Sequence, residues 1–287
     1  MDVFKVNGLV FIDYNFTSFK NKYSMPILMI EISHLSKSFK GFKAVDNISF
    51  SVPDGEIFAF LGPNGAGKTT TIKILTTLLN PDSGTITVAG FDVVHNQHNV
   101  RKSFGIVFQD PSVDDELTAY ENMQLHAVLY GVKDYKNKIL ELLRFVELED
   151  RKDSLVKQFS GGMKRRLEIA RSLLHHPKVI FLDEPTVGLD PQTRNSMWEY
   201  IVDLNKKEKL TIFFTTHYME EAEKYAKKIA VIDHGKIVAI GSSAELKKKT
   251  KTKTLEDAFL KLTGKGIRDE DASPIDFMRQ RRRIMHR

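Results

Sequence analysis

Glu56-Ile57-Phe58-Ala59-Phe60-Leu61-Gly62-Pro63-Asn64-Gly65-Ala66-Gly67-Lys68-Thr69-Thr70 runs from an apolar stretch through a glycine-rich turn into residues at helical spacing. The turn has the form Gly-x-x-x-x-Gly-Lys-Thr, and its setting between a buried strand and a helix is what gives the pattern meaning. Glycines let successive backbone N–H groups converge on one point, and the helix N-terminus adds its dipole there. The point suits a phosphate. Lys68 is placed to reach the β- and γ-phosphates of a nucleoside triphosphate, and the Thr69 hydroxyl to ligate Mg²⁺. The candidate binding set is Gly62, Pro63, Asn64, Gly65, Ala66, Gly67, Lys68, Thr69 and Thr70.

Outward from this turn, strand and helix patterns alternate. β-rich runs lie at Ile27–Ile32, Ile48–Val52 and Glu56–Leu61, and a helical spacing at Thr69–Leu79 carries Ile72, Leu75, Leu78 and Leu79. Pro81-Asp82-Ser83-Gly84 is turn chemistry, followed by strands at Thr85–Val88 and Phe104–Phe108. From about 110 to 176 the pattern becomes helical. Thr118-Ala119-Tyr120-Glu121 forms a capping box, and Ile139, Leu142, Leu143 and Val146 make one apolar stripe. Strands return at Val179–Leu182 and Thr211–Phe214, and Ile229–Ile232 with Ile237–Ile240 reads as a hairpin turning at His234-Gly235. The expectation is an α/β core with an inserted helical subdomain and one nucleotide unit per chain.

Asp183 and Glu184 stand at the C-terminal end of the apolar run 179–182, the end at which parallel sheets bind ligands. Two adjacent carboxylates repel, and a divalent cation would offset that repulsion and separate their roles. Asp183 is expected to hold Mg²⁺ through water, and Glu184 to face the attacking water.

Composition narrows the classes. The 287 residues contain no cysteine, which excludes a disulfide framework, thiolate metal sites and a cysteine nucleophile. No apolar run approaches the roughly 18–20 residues that span a bilayer. Residues 247–287 carry 13 Lys/Arg against 6 Asp/Glu, so the net charge of +6 lies in the C-terminal part and the body is near neutral. Arg281-Arg282-Arg283 could touch nucleic acid or anionic lipid, but the tail lacks the interleaved aromatics of a stacking surface, and no nucleic-acid partner is expected.

Phe159-Ser160-Gly161-Gly162-Met163 is a second glycine-rich turn opening a basic helix. With the motifs above, it makes residues 29–265 resemble the ATP-binding subunit of ATP-binding cassette (ABC) transporters. Phe159 and Met163 depart from the usual Leu-Ser-Gly-Gly-Gln signature. Met163 followed by Lys164-Arg165-Arg166-Leu167 resembles the drug- and polysaccharide-export (ABC-2, daunorubicin-resistance-like) branch, as do Thr254–Leu260, Leu262–Gly264 and Ile267-Arg268-Asp269-Glu270.

This resemblance implies a P-loop NTPase core (a RecA-like mixed sheet) with an antiparallel β subdomain and the inserted helical subdomain. It implies that Ser160, Gly161 and Gly162 cap the γ-phosphate of a nucleotide held by a second subunit. Phe39 is implied as the aromatic that stacks on adenine, and Gln109 as the glutamine that approaches Mg²⁺ and the attacking water. Asp190, in Gly188-Leu189-Asp190, falls in the loop crossing the dimer interface, and His217 at the γ-phosphate switch. Glu184, His217, Lys68 and Gln109 form the catalytic set, ATP and Mg²⁺ the cofactors, and Thr69, Gln109 and Asp183 the metal set.

The reading expects an ATPase powering export of a drug, lipid or polysaccharide through a separate permease. The chain would act as a homodimer or a heterodimer with a related ATPase, held peripherally at the cytoplasmic face of the cell membrane. An importer ATPase, or a non-transport relative of the iron–sulfur assembly or DNA-repair type, is the alternative. A P-loop kinase or GTPase leaves Ser160-Gly161-Gly162, Gln109 and His217 unexplained. Residues 1–28 are expected to be a weakly ordered N-terminal extension ahead of a true start at Met25 or Met29. Residues 29–241 are expected to be the ATPase domain, and 242–287 a C-terminal helical segment with a basic tail.

Overall fold

The computed structural model describes residues 27–264, together with the backbone of strands β1 (Val3–Val6) and β2 (Leu9–Ile12). These two strands pair as an antiparallel hairpin. They lie within the stretch read from sequence as a weakly ordered N-terminal extension. The expected start at Met25, the run Ile267–Glu270 and the triple arginine 281–283 lie outside the described residues.

β3 (Leu28–Phe39) and β4 (Phe42–Pro53) form a long antiparallel pair, joined by β6 (Ser83–Val88) and β7 (Phe91–Asp92) in the order β4-β3-β6-β7. Both leading strands outrun their expected lengths. Their register shifts repeatedly between Leu28 and Ser38, and each shift breaks the two-residue alternation that marks a strand in sequence. Between these strands lie β5 (Ile57–Leu61) and α1 (Lys68–Leu75). The helix ends four residues before the expected Leu79. Thr76 Oγ1 bonds back to the Ile72 carbonyl and Thr77 takes φ +60°, leaving Leu78 59% exposed.

α2 (Gln97–Ser103) leads into β8 (Phe104–Val107), and the helical block follows as α3 (Ala119–Leu129), α4 (Tyr135–Phe145) and α5 (Gly161–Ser172). The capping box at Thr118 and Glu121 is present, and the stripe Ile139, Leu142, Leu143 and Val146 is buried. The chain returns through β9 (Val179–Asp183), α6 (Pro191–Glu208), β10 (Thr211–Thr216) and α7 (Met219–Tyr225). It then runs through the hairpin β11 (Lys228–Asp233) and β12 (Lys236–Gly241) to α8 (Ser243–Thr250) and α9 (Leu255–Thr263).

The second sheet has the order β12-β11-β5-β10-β9-β8. Its strands are parallel except for the antiparallel β11–β12 edge, so it is mixed, as expected. Alternation divides its two faces. Ile57, Ala59 and Leu61 with Ile180, Leu182, Ile212 and Phe214 face the core shared with the helical block and α6. Phe58, Phe60, Phe181 and Phe213 face the antiparallel sheet, where Phe50 of β4 stacks on Phe58 at 5.4 Å between ring centroids. β5 is buried at every position, which is why it reads as a continuous apolar run and not as an alternating one.

Candidate functional site

The glycine-rich loop leaves β5 near the middle of the mixed sheet and closes on the first turn of α1. Two glycines are required by close approach. A Cβ at Gly67, whose φ is +106°, would lie 2.4 Å from the Ala44 carbonyl oxygen of β4. One at Gly62 would lie 2.5 Å from the Ile232 carbonyl oxygen of β11. The loop is thus clasped between the two sheets. The first turn of α1 holds no acidic residue and no side-chain cap of its own. Pro63 and Thr70 are half-buried, Asn64 and Gly65 exposed, and Ala66 buried.

Lys68 is buried, 5% exposed, and folds back over the loop. Its Nζ donates to the Gly62 carbonyl at 2.8 Å and the Pro63 carbonyl at 3.1 Å, and pairs with Glu184 Oε1 at 2.9 Å. Glu184 Oε2 meets His217 Nδ1 at 3.2 Å. Burial alone would raise the Glu184 pKa, but the His217 hydrogen bond and the Lys68 ammonium outweigh it and bring the carboxyl down to about 2. Lys68, more than a hundred residues before Glu184 and His217 in the sequence, therefore forms one chain of contacts with them.

Asp183 is directed elsewhere. Its Oδ1 accepts from Thr215 Oγ1 at 2.6 Å, and it is hydrogen-bonded to the Thr69 side chain. Burial raises its pKa, and the neighbouring Glu184 charge adds to that. The two adjacent carboxylates diverge because Glu184 turns out of the strand at φ +48°, a conformation costly for a residue with a side chain, while its N–H is held by Thr215 Oγ1 at 2.9 Å. Thr69 and Asp183 give a pair of hard oxygen donors side by side, of the type that suits a hard divalent cation such as Mg²⁺.

Gln109 lies exposed, two residues beyond Val107, which pairs with Leu182 across β8 and β9. It follows the end of β8, the strand next to the β9 that ends at Asp183. Its side chain makes no hydrogen bond among the described residues. Phe39 ends β3 and is 45% exposed, so it belongs to the surface and not to the core. It pairs with Phe42, two residues ahead of the Ala44 that touches Gly67.

Ser160 caps α5, its Oγ accepting from Met163 N at 3.2 Å. The turn it opens is packed on the start of α6, and a Cβ at Gly162 would lie 2.4 Å from Thr193 Cγ2. Asp190 caps α6 by accepting from the Gln192 and Thr193 amides at 3.1 and 3.0 Å and from Thr193 Oγ1 at 2.5 Å. The turn Ser160–Gly162 and the loop Gly188–Asp190 are therefore one continuous surface. Phe159, the departure from the usual signature, is buried.

The structure thus brings together Lys68, Thr69, Asp183, Glu184 and His217, and separately Ser160, Gly161, Gly162 and Asp190. Several supporting residues are absent from the sequence reading. Thr215 holds both Asp183 and the Glu184 amide. Buried Glu221 accepts from Thr186 Oγ1 at 2.5 Å and Thr216 Oγ1 at 3.0 Å, tying the loop after Glu184 to the strand that carries His217. Arg165 and Glu168 of α5 hold the loop that contains Gln109. The sequence signal for the last pair is two opposite charges three residues apart on a helix otherwise facing the core.

An ABC transporter family model matches residues 45–187. The daunorubicin/doxorubicin resistance ATP-binding protein DrrA of Streptomyces peucetius is 44% identical over 229 residues, covering 78% of this chain and 68% of that protein. The Nod factor export ATP-binding protein I of Ralstonia nicotianae is 42% identical over 225 residues, covering 78% and 69%. Among solved structures, the dimeric post-hydrolysis state of an ATP-binding cassette bound to ADP and Pi matches with a TM-score of 0.68 and 26% identity, covering 75% of this chain and 98% of that one. The loop clasped between two sheets, the helical block and these relatives agree: this chain belongs to the ABC transporter family, as an ATP-binding subunit that hydrolyses ATP.

Proposed function

We propose that the chain powers export through a separate membrane permease, closing with a second ATP-binding subunit over two ATP molecules. The observation that carries the dimer is the separation of the two phosphate-directed turns. Between β5, which leads into Lys68, and β8, against which α5 packs, lie β10 and β9. Three strand spacings amount to about 14 Å, well beyond the reach of one triphosphate from one loop to the other. Two chains facing each other would bring Ser160–Gly162 of one over the phosphates held by the other, and an isologous dimer repeats the contact twice.

Export is supported by the relatives, named for drug resistance and Nod factor export. The cargo class is accordingly a drug, a lipid or a polysaccharide. No helix among the described residues is long and apolar enough to cross a membrane. The export reading would hold the chain at the cytoplasmic face of the membrane through the permease. Residues 29–241 serve as the ATPase domain and 242–287 as a C-terminal appendage.

In this reading the loop Gly62–Thr70 binds the phosphates, with Phe39 stacked on adenine. Thr69 and Asp183, assisted by Gln109, would hold Mg²⁺, which when bound would supply charge neutralisation for the phosphates. Lys68 leaves Glu184 for the phosphates. Glu184 then keeps only His217 as a partner, and its carboxylate becomes free to orient a water and accept its proton as the water oxygen attacks the γ-phosphorus. The bond from that phosphorus to the β–γ bridging oxygen breaks, and ADP leaves with the electron pair. His217 and Lys68 both lower the Glu184 carboxyl, so the move of Lys68 to the phosphates would make Glu184 a better base for this step.

The test is Glu184→Gln. It is expected to bind ATP, to release phosphate about 10²-fold or more slower, and to elute with ATP as a dimer holding two nucleotides. A variant that turns over near the wild-type rate removes Glu184 from this role. One that binds ATP but stays monomeric removes the dimer.

A further inference from the structure

α5 does more than carry the turn Ser160–Gly162. Between the end of β8 at Val107 and the start of α3 at Ala119 the chain forms no helix and no strand of a sheet, so most backbone polar groups of residues 108–112 lack a ladder. α5 supplies partners for four of them. Arg165 donates through Nη1 to the Phe108 carbonyl and through Nη2 to the Gln109 carbonyl at 2.8 Å. Glu168 Oε1 accepts from the Ser112 amide at 2.6 Å and the Ser112 hydroxyl at 2.9 Å. Arg171 donates to the Ser112 carbonyl at 2.8 Å and to its Oγ at 2.5 Å.

Arg165 and Glu168 are themselves an ion pair at 3.0 Å, with side chains 6% and 0% exposed. An ion pair buried this deeply is an expensive way to hold a helix to a core, and apolar residues of similar volume often do so at least as well. It is also within one helix, so it joins no two elements by itself. What distinguishes it is where its remaining donors and acceptors go, which is the backbone on either side of the Gln109 side chain.

We propose that the Arg165–Glu168 pair is a positioning element for Gln109, locking the Phe108–Ser112 loop to α5 so that Gln109 and the turn Ser160–Gly162 move as one body. The inference rests on the dimeric reading above, in which Gln109 serves the nucleotide of its own chain and Ser160–Gly162 the nucleotide of the partner. On that reading the buried pair links the two nucleotide sites through a rigid path of a single helix. Lys164 with Asp115 at 2.7 Å and Lys157 with Glu116 at 3.0 Å brace the same loop further along. Gly162 against Thr193 braces the other end of the helix on α6.

The experiment is a double-mutant cycle on the purified full chain, reading kcat and KM for ATP. Arg165→Met is expected to lower kcat about tenfold or more with KM within about twofold. In a Gln109→Ala background it is expected to lower kcat no further, because Arg165 acts only through that residue. Arg165→Lys, which keeps the charge beside Glu168 but cannot bridge both carbonyls, should recover part of the loss. An unchanged kcat overturns the proposal. So does an equal fold-loss in the Gln109→Ala background, or a rise in KM matching the fall in kcat. Should Arg165→Met not fold, Glu168→Gln is read by the same cycle with the same outcomes. Failure of Glu184→Gln to trap a two-nucleotide dimer would instead remove the dimeric reading, so the two failures are distinguishable.

Discussion

Glu184 concentrates the electrostatics of the site at a single residue. It is buried, takes a left-handed backbone conformation, and is pulled between Lys68 and His217. Its carboxyl lies at about 2, below the ordinary 4.5. A carboxyl whose folded pKa is depressed contributes stability that is complete above the unfolded value and is lost as pH falls through the folded one. Without nucleotide, the wild-type chain should therefore lose this contribution between about pH 4.5 and pH 2. Glu184→Gln cannot titrate there, and it also leaves the Lys68 ammonium with only carbonyl partners. We expect it to be less stable than wild type by about 2 kcal/mol at pH 7, with the difference shrinking toward pH 2. Urea unfolding at a series of pH values checks this. A difference constant across that range would mean that Glu184 is not held ionised by its partners. The residue type and its place after a strand were legible from sequence, because the motif is contiguous. The φ of Glu184 and the Thr215 contact that permits it were not, since Thr215 lies 31 residues away.

At the scale of elements, α5 and α6 meet at a point where one methyl group decides the fit. Gly162 has no room for a Cβ because Thr193 Cγ2 occupies the space at 2.4 Å. Gly162→Ala should destabilise the chain by about 1–3 kcal/mol through overpacking. Thr193→Ser removes that methyl and keeps the hydroxyl that bonds Asp190, so the double variant should recover most of the loss. Additive losses in thermal unfolding would place the strain elsewhere. Local sequence pattern sees such elements unevenly. β5, β9 and β10 were legible because full burial writes a continuous apolar run, and the capping box of α3 because four residues suffice to state it. The lengths of β3 and β4 were hidden by bulges that break alternation, and the end of α1 by Leu78, whose helical spacing continues past a helix that Thr77 has already closed. The Arg165–Glu168 connection to Gln109 spans 56 residues and depends on packing that no local pattern encodes.

For the whole molecule, the deciding question is whether one chain contains a complete site. The loop Gly62–Thr70 and the turn Ser160–Gly162 each open a helix, yet the first follows β5 and the second leads a helix packed on β8, with β10 and β9 between those strands. Mixing two inactive variants separates a site shared between chains from one within a chain. Lys68→Ala removes the loop's ammonium and keeps the turn, whereas Ser160→Arg fills the turn and keeps the loop. Each alone should hydrolyse ATP at a small fraction of the wild-type rate. If two chains share each site, a heterodimer of the two variants contains one site with both parts intact and one with both defective. With random pairing about half of the dimers are mixed, so an equal mixture should recover roughly a quarter of the wild-type rate per chain, provided the sites act independently. Recovery should rise with total protein concentration, because pairing follows mass action. If each chain holds a complete site, the mixture stays as inactive as its parts at every concentration. Phosphate release measured across a dilution series of the mixture therefore distinguishes the two architectures.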